Sequence, residues 1–507
     1  RRGEAVERSG EKIKRNIISG VLYQAVLVAV SFLLPRLYLE NFGSEVNGVL
    51  STIKQIFTYM TLFEAGVGLA ATRALYKPIA EKDVNAVNAV LSAAKHCYLR
   101  TGVAYLAAVL TLAVVYSFAV PTGIPHGVVF ALIILNAIPT LFSYFIQAKY
   151  RILMEADGRR YVINHAETAL QLTSNAGKIV VLLLSDSLVL IQLVYCVLAV
   201  AQLSFLYIYA KRNYRWLDLG VKPDLAAISQ RESVLVHQIS AMVFNNTDII
   251  LLSFMCDFKT VSIYTIYNIF FSQVRRFISD IISGYGFALG QMFGVDRKRF
   301  DKCFEVYETF FVMSTFFVYT LMAVFLLPII GMYTKGIDDA DYINPLLMLL
   351  FALVSIAESA KLPVNQVIEY AGEFRKTRSH AIIEMTVNIT VSVAAVMKWG
   401  ICGALFGTAA ALAVRGVLAA YYANRVVLSR KMSETFKVWI VNLGVFAAVT
   451  LILGTDGFLG DSFGMLVLDG LKHAPWIAVL YFAANFVLRK KAFSDFVSLL
   501  RERKEEK

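Results

Sequence analysis

Charged residues are scarce in this 507-residue chain, because only 17% of its residues are Asp, Glu, Lys or Arg whereas 58% are apolar. An average soluble domain carries about 25% charged and about 45–50% apolar residues. A water-soluble enzyme of this length needs more polar surface than this sequence supplies. A disordered or nucleic-acid-binding chain is excluded too, despite the net charge of +12. The composition, with a mean hydropathy of +0.61, indicates a polytopic membrane protein.

Cysteine is also scarce, and its spacing fits neither a disulfide framework nor a zinc site. The five residues are far apart along the chain: Cys97, Cys196, Cys256, Cys303 and Cys402. The sequence also lacks the GxxxxGK[ST] loop that cradles nucleotide phosphates, so ATP does not drive this chain directly. We therefore expect no cofactor and no metal site, and we interpret the cysteines as small packing residues.

Long apolar runs are abundant. A transmembrane α-helix needs about 20 mostly apolar residues, and fourteen such runs occur. They cover residues 17–40, 46–72, 97–120, 127–148, 161–184, 188–210, 233–255, 260–289, 304–331, 343–368, 379–397, 401–424, 437–454 and 474–488. The sequence thus predicts an all-α polytopic membrane protein with fourteen transmembrane helices.

The basic residues predict the orientation of these spans. Between the spans and at the termini, 37 lysines and arginines fall on one side and only four on the other. Basic loops face the cytoplasm, so we expect both the N-terminal segment 1–16 and the tail 489–507 to be cytoplasmic. The tail places Phe493, Phe496, Val497 and Leu500 on one helical face. This pattern predicts an amphipathic helix lying on anionic lipid, with a plain surface helix as the alternative.

An internal repeat organises the spans. The hydropathy pattern restarts near Ser233, and a shift of 215 residues superimposes the first six spans on the next six. Identities cluster at Arg160 and Arg375 and at His165 and His380. A six-span unit keeps its orientation, so the repeat is parallel. We expect two six-helix lobes, 17–232 and 233–430, to enclose a cleft and rock around it, with two additional helices in 431–488.

Two segments resemble bacterial polysaccharide flippases. Leu33–Tyr76 carries that family's opening pattern, and NNTDIILLSFM (Asn245–Met255) followed by VSIYTIYN resembles its seventh and eighth spans. The matching residues of the first segment are Arg36, Gly43, Gly48, Glu64, Gly66 and Gly68. The resemblance implies the multidrug/oligosaccharidyl-lipid/polysaccharide (MOP) exporter superfamily, O-antigen (Wzx-type) branch, with a MATE-like two-lobed fold. It also implies a flippase that moves undecaprenyl-pyrophosphate-linked oligosaccharide across a bacterial inner membrane.

Basic residues inside the spans fit an anionic substrate. A central charge facing lipid costs about 2.5–3.5 kcal/mol on insertion scales, so most must pair, snorkel or line a wet cavity. Eight occur: Arg36, Lys54, Arg100, Lys178, Arg275, Arg276, Lys361 and Arg415. The acids of the same zone are fewer, namely Glu64, Asp248, Asp280 and Glu358. We therefore expect a net cationic cleft.

Several of these cations are candidate ligands for pyrophosphate. Arg275 is the first choice because it is deep in its span and has no local partner, followed by Lys54, Arg415 and Lys178. Arg276 is a further candidate, although Asp280 follows it at i+4, and Lys361 follows Glu358 at i+3. An ion pair across two helices is the alternative for each cation.

Gating and sugar contacts are further expectations. Arg36 and Asp248 are predicted to pair as an outer gate, with protonation of Asp248 or Glu64 as a coupling event; a static buried pair is the alternative. Polar and aromatic residues of spans 2 and 8 are candidate sugar contacts, with packing as their alternative: Tyr59, Tyr264, Tyr267, Asn268 and Gln273.

The sequence leaves other functions open. A cation-coupled multidrug exporter of the same superfamily is the first alternative, although such exporters typically have twelve spans and acidic cavities. A membrane polysaccharide polymerase or ligase is less favoured, because no sizeable outer loop is present. We expect no enzymatic activity and no nucleic-acid partner. The expected partners are membrane lipids, the lipid-linked glycan, H⁺ or Na⁺ as coupling ion, and the polysaccharide polymerase machinery.

Overall fold

The computed structural model describes residues 2–64, 67–119, 122–225, 242, 247–373, 376–458 and 462–505, without some side chains, chiefly those before residue 28. Helices joined by short turns make up these ranges, which contain no strand. The chain divides into two compact units, Arg1–Met242 and Val243–Lys507.

Nine helices within the described ranges are long and apolar enough to cross a membrane. They are Val84–Phe118, His126–Ala156, Leu188–Asn213, Arg297–Tyr333, Pro345–Tyr370, Arg378–Trp399, Ile401–Val427, Ser433–Leu453 and Phe463–Leu488. Each overlaps one of the predicted apolar runs, and the chain is a multi-pass membrane protein. The count of fourteen spans and the two-lobe repeat stay predictions.

The first unit is built from antiparallel helices around a tyrosine-rich core. Its described residues form α1 (Arg2–Met60), α2 (Val67–Ala80), α3 (Val84–Ala119), α4 (His126–Phe142), α5 (Ala148–Ala156), α6 (Arg160–Leu184) and α7 (Leu188–Asn213). Gly43 breaks α1, because its φ of 78° is a left-handed conformation that favours glycine. In the core, the ring of Tyr144 lies 5.9 Å from that of Tyr98 and 5.3 Å from that of Tyr105.

The second unit begins with a helical stretch, 247–255, in its described part. It continues with α8 (Phe258–Val295), α9 (Arg297–Tyr333), α10 (Pro345–Ala360), α11 (Leu362–Tyr370), α12 (Arg378–Trp399), α13 (Ile401–Tyr421), α14 (Ser433–Leu453), α15 (Phe463–Leu488) and α16 (Lys490–Glu505). Asp257, Asp296 and Asn344 cap α8, α9 and α10, each accepting a hydrogen bond from a backbone N–H three residues later. These caps explain why the helices begin where they do.

Polar contacts fasten the last helices to α9. The hydroxyls of Thr320 and Tyr481 are hydrogen-bonded at 2.6 Å, which joins α9 to α15. The amides of Asn442 and Asn485 bond each other at 3.2 and 2.9 Å, which joins α14 to α15. In an apolar environment such pairs fix the register of the helices, because an unmatched amide there is costly.

The tail helix α16 packs against the protein. Phe493 is buried, and its ring lies 5.0 Å from the rings of Phe310 and Phe482. The ring of Phe496 is also 5.0 Å from that of Phe310. Part of the apolar face of α16 is therefore used for contacts with α9 and α15. Phe496 and Val497 on this face are still 39% and 48% exposed, so the predicted contact with lipid stays a prediction.

The helices α12 and α13 form a tight hairpin. A Cβ atom added at Gly403 would overlap the backbone of Ala395, and one added at Gly407 would lie 2.5 Å from the nitrogen of Ser392. Small residues allow helix backbones to approach this closely within a membrane. The hairpin holds the face of α12 that carries Ser392 against α13 at a fixed register.

We expect Gly407→Ala to destabilise the protein by about 1–3 kcal/mol, because the added methyl group forces α12 and α13 apart. The measurement is the midpoint of thermal unfolding in detergent. Gly444→Ala on α14 is the matched control, because a Cβ atom there meets no atom within 4 Å. An unchanged midpoint for Gly407→Ala would show that the hairpin separates at no cost.

Candidate functional site

Arg275, the first predicted pyrophosphate ligand, is ion-paired within the second unit. Its Nε lies 3.4 Å from Oε2 of Glu358 on α10. The guanidinium also donates to Asn268 Oδ1 at 2.9 Å and to Ser355 Oγ at 3.4 Å. Arg275 thus has no partner on its own helix, as predicted, and it forms the ion pair across two helices that the sequence left as the alternative. Asn268, predicted to contact sugar, holds this guanidinium.

A second ionic cluster joins Lys361, Glu384 and Arg415. Lys361 Nζ lies 2.7 Å from Glu384 Oε1, and Arg415 Nε lies 3.7 Å from Glu384 Oε2. The three side chains are only 10%, 11% and 16% exposed. For Arg415 this is the interhelical ion pair that the sequence left as the alternative. For Lys361, the sequence pointed to Glu358 at i−3, whereas the ion pair in the structure is with Glu384 of α12.

Sequence analysis missed Glu384, although a signal was present. His380, Glu384, Asn388 and Ser392 follow each other at intervals of four along α12, so they share one helical face. Glu384, Asn388 and Ser392 are buried. A polar stripe on an apolar helix indicates a face turned toward protein.

The charges of the second unit are therefore largely balanced. Arg275, Lys361 and Arg415 face Glu358 and Glu384 at ion-pair distances. Asp248 is a further buried acid of the same unit. Glu384, which the sequence analysis overlooked, lowers the net positive charge of these intramembrane residues. The net cationic cleft stays a prediction.

Asp248 lies in a buried cluster of hydroxyl and amide groups. Tyr264 donates to Asp248 Oδ2 at 2.8 Å, and Thr408 donates to the same oxygen at 3.1 Å. Asn388 in turn donates from Nδ2 to Thr408 Oγ1 at 3.0 Å, while its Oδ1 has no hydrogen-bond partner. Carboxylate, hydroxyl and amide oxygens suit a hard cation, and the carboxylate can also hold a proton. Among the described residues, this cluster included, no group of three or more His, Cys, Asp or Glu could hold a metal.

Tyr264 and Tyr267, two of the predicted sugar contacts on α8, pack inside the protein. Tyr267 is fully buried, its hydroxyl donates to the carbonyl of Tyr342 at 2.7 Å, and its ring stacks on Phe351 at 5.5 Å. Tyr264 packs on the same phenylalanine at 5.1 Å while it holds Asp248. In this structure Tyr267 is a packing residue, the alternative that the sequence left open. Tyr59, half-buried on α1, stays a prediction.

The first unit brings two predicted lysines together. Lys54 on α1 is exposed, and its ammonium group is close enough to that of Lys178 on α6 to interact electrostatically. Lys178 Nζ lies 4.6 Å from the centre of the Tyr195 ring, which is within cation–π range. No carboxylate among the described residues pairs with Lys178. This cluster of Lys54, Lys178 and Tyr195 is called the lysine pair site below.

The remaining predicted residues lie elsewhere. Glu64 accepts a hydrogen bond from Tyr98 at 3.0 Å. Arg36 forms an ion pair with Glu40 at 2.6 Å, whereas its predicted pairing with Asp248 joins the two units and stays a prediction. Arg276 is exposed. The side chain of its predicted partner, Asp280, lies outside the described residues.

Comparison with known proteins reveals the fold. No protein-family model and no curated protein matches the chain. Among solved structures, the lipid II flippase MurJ in an inward closed conformation matches with a TM-score of 0.70 and 14% identity over 94% of this chain and 100% of that one. An inward-facing multidrug resistance MATE family transporter of the MOP superfamily matches with a TM-score of 0.56 and 14% identity over 79% of this chain and 94% of that one. At this identity the likeness shows a shared helical membrane fold.

Proposed function

We propose that this chain is a lipid-linked glycan flippase of the MOP superfamily, of the O-antigen (Wzx-type) branch. It moves undecaprenyl-pyrophosphate-linked oligosaccharide from the inner to the outer leaflet by alternating access of two lobes. The lysine pair site is the observation that carries this proposal, because two neighbouring ammonium groups on helices that the sequence predicts to span the membrane suit a diphosphate. The fold shared with a lipid II flippase supports the same class of substrate.

The two units take different roles in this proposal. Lys54 and Lys178 bind the diphosphate, because Lys178 has no carboxylate partner among the described residues and repels its neighbour. Each ammonium donates up to three hydrogen bonds to phosphate oxygens. Arg275 and Arg415 take a structural role instead, because Glu358 and Glu384 already neutralise them. The proposed diphosphate site is therefore in the first unit, whereas the sequence analysis ranked Arg275 of the second unit first.

Asp248 is the proposed coupling residue. The free Oδ1 of Asn388 and the hydroxyl of Thr408 leave oxygen ligands beside its buried carboxylate. Occupation by H⁺ or Na⁺ neutralises that carboxylate and alters the contacts that hold 247–255 against α13. In this proposal Asp248→Asn makes transport independent of the coupling ion.

The test of function uses proteoliposomes loaded with fluorescent undecaprenyl-pyrophosphate oligosaccharide. Exposure of the glycan on the second leaflet is followed over time, with and without an imposed H⁺ or Na⁺ gradient. We expect exposure only in vesicles that contain the protein, and acceleration by one of the two gradients. Absence of exposure under every gradient would refute the flippase.

A multidrug exporter is the second candidate, favoured by the buried acid Asp248 and by the balanced charges of the second unit. Acidic groups suit cationic drugs, and the matched MATE transporter is a multidrug resistance protein by its description. A cationic dye in the same vesicles discriminates the two. Dye export without glycan exposure would assign the chain to this candidate.

A further inference from the structure

An apolar groove runs along the surface of the first unit between α6 and α7. It has a volume of about 560 Å³, which is in the range of small-molecule pockets. Its walls come from one face of each helix, namely Tyr161, His165, Ala169 and Thr173 of α6 and Leu198 and Phe205 of α7. We call it the α6–α7 groove. It takes no part in the proposed transport mechanism.

The groove is closed at one end by the packing of its own helices. Beyond Thr173 and Leu198, a Cβ atom added at Gly177 would lie 2.8 Å from Val194, so α6 and α7 are in close contact there. From Tyr161 to Thr173 the helix rises about 18 Å. Half of a hydrocarbon core is about 15 Å thick. The length therefore fits one acyl chain of a single leaflet and is too short for the much longer undecaprenyl chain.

The other end of the groove carries positive charge. Arg212 follows Phe205 by two helical turns on the same face of α7, and it is exposed. It pairs with no acid among the described residues. Arg160 is also exposed, but it is on the opposite face of α6 from the groove, because about five helical turns place it in line with Lys178. The nearby Asp157 is engaged, because it accepts from Tyr214 at 2.6 Å and from Arg159 at 3.1 Å. Burial raises the pKa of Tyr214, which keeps this phenol protonated as the donor.

We propose that the α6–α7 groove is a binding site for an anionic glycerophospholipid of the leaflet that borders the basic loops. One acyl chain occupies the groove down to the contact of Gly177 with Val194, and the phosphate lies beside Arg212. The apolar walls exclude a hydrated ligand, while Arg212 selects a negative headgroup over a zwitterionic one. This inference rests on the membrane location of the chain alone and is independent of what the chain transports.

Photo-crosslinking in nanodiscs tests the site. The probe is phosphatidylglycerol with a diazirine at the end of one acyl chain, and adducts are mapped by mass spectrometry. We expect adducts on Thr173 and Leu198, at the closed end. Arg212→Gln should reduce labelling about fivefold, whereas Arg160→Gln, the matched control on the opposite face of α6, should leave it unchanged. Labelling by the phosphatidylcholine analogue should be weak and unaffected by either variant.

A second experiment fills the groove with a larger side chain. Ala169→Phe should abolish adducts at the closed end, while Ala176→Phe, on the same face of α6 beyond the closed end, should not. Size-exclusion profiles verify folding, and the two arginine variants keep the proposal testable if Ala169→Phe fails to fold. Equal labelling by both lipids, unaffected by Ala169→Phe, would show bulk bilayer contact and overturn the site. Stronger labelling by an undecaprenyl-phosphate probe would overturn it in favour of the carrier lipid.

Discussion

Replacing Glu384 with glutamine is expected to cost about 3–5 kcal/mol of stability, which is the range measured when one partner of a buried ion pair is removed. Glu384 is 11% exposed and contacts both Lys361 and Arg415. Without its carboxylate, these two nearly buried cations lose the acid that both of them contact. The measurement is the thermal unfolding midpoint in detergent, together with the yield of monodisperse protein.

Two further variants make this expectation specific. Glu358→Gln removes the partner of Arg275 from a pair that is 24% and 32% exposed, so the loss should stay below about 1 kcal/mol. Adding Lys361→Met to Glu384→Gln removes one of the two cations that lost this carboxylate and should restore part of the lost stability. If Glu384→Gln unfolds at the same temperature as the unmodified chain, the cluster contributes nothing to the fold.

Loss of either lysine of the lysine pair site is expected to reduce affinity for the diphosphate lipid about 10- to 100-fold. Hydrogen bonds to charged groups contribute about 1.5–3 kcal/mol each. The variants are Lys54→Met and Lys178→Met, which keep the length of the side chain. Binding is measured as the Kd for undecaprenyl pyrophosphate in detergent, and transport as the rate in proteoliposomes. Lys178→Arg should restore much of the binding because it keeps the charge.

The matched control for this prediction is Arg275→Gln. Sequence analysis ranked Arg275 first, whereas its ion pair with Glu358 makes it a structural residue. We therefore expect Arg275→Gln to change the Kd less than threefold. The opposite pattern, with binding lost in Arg275→Gln and retained in Lys178→Met, would move the diphosphate site to the second unit. Unfolding midpoints separate loss of binding from loss of structure.

The ion pairs show where prediction from the sequence reached its limit. Partners were sought three or four residues away, the distance at which side chains meet on one helix. Arg275 instead pairs with Glu358 from another helix, and Lys361 with Glu384 from the next. Both pairs join residues far apart in the sequence, so a pattern of neighbouring residues on one helix does not reveal them. The four-residue spacing of polar residues along α12 was the one signal that pointed to Glu384.

Tyr267 illustrates a second limit. An aromatic ring with a hydroxyl suits both a sugar and a protein core, and its position on α8 does not discriminate between them. In the fold, its hydroxyl bonds the carbonyl of Tyr342 and its ring stacks on Phe351. Only the position of α10 beside α8 decides that this tyrosine is a packing residue.

The sequence by itself determined that this is a multi-pass helical membrane protein. The reason is that the free energy of placing a segment in a bilayer is a sum over its own residues, and backbone hydrogen bonds within the segment are satisfied by the helix alone. Only the tertiary structure decided which intramembrane charges are neutralised and which pair of lysines lies together. Coulomb interactions depend on distances between helices that are remote in the chain, and these distances are a property of the fold.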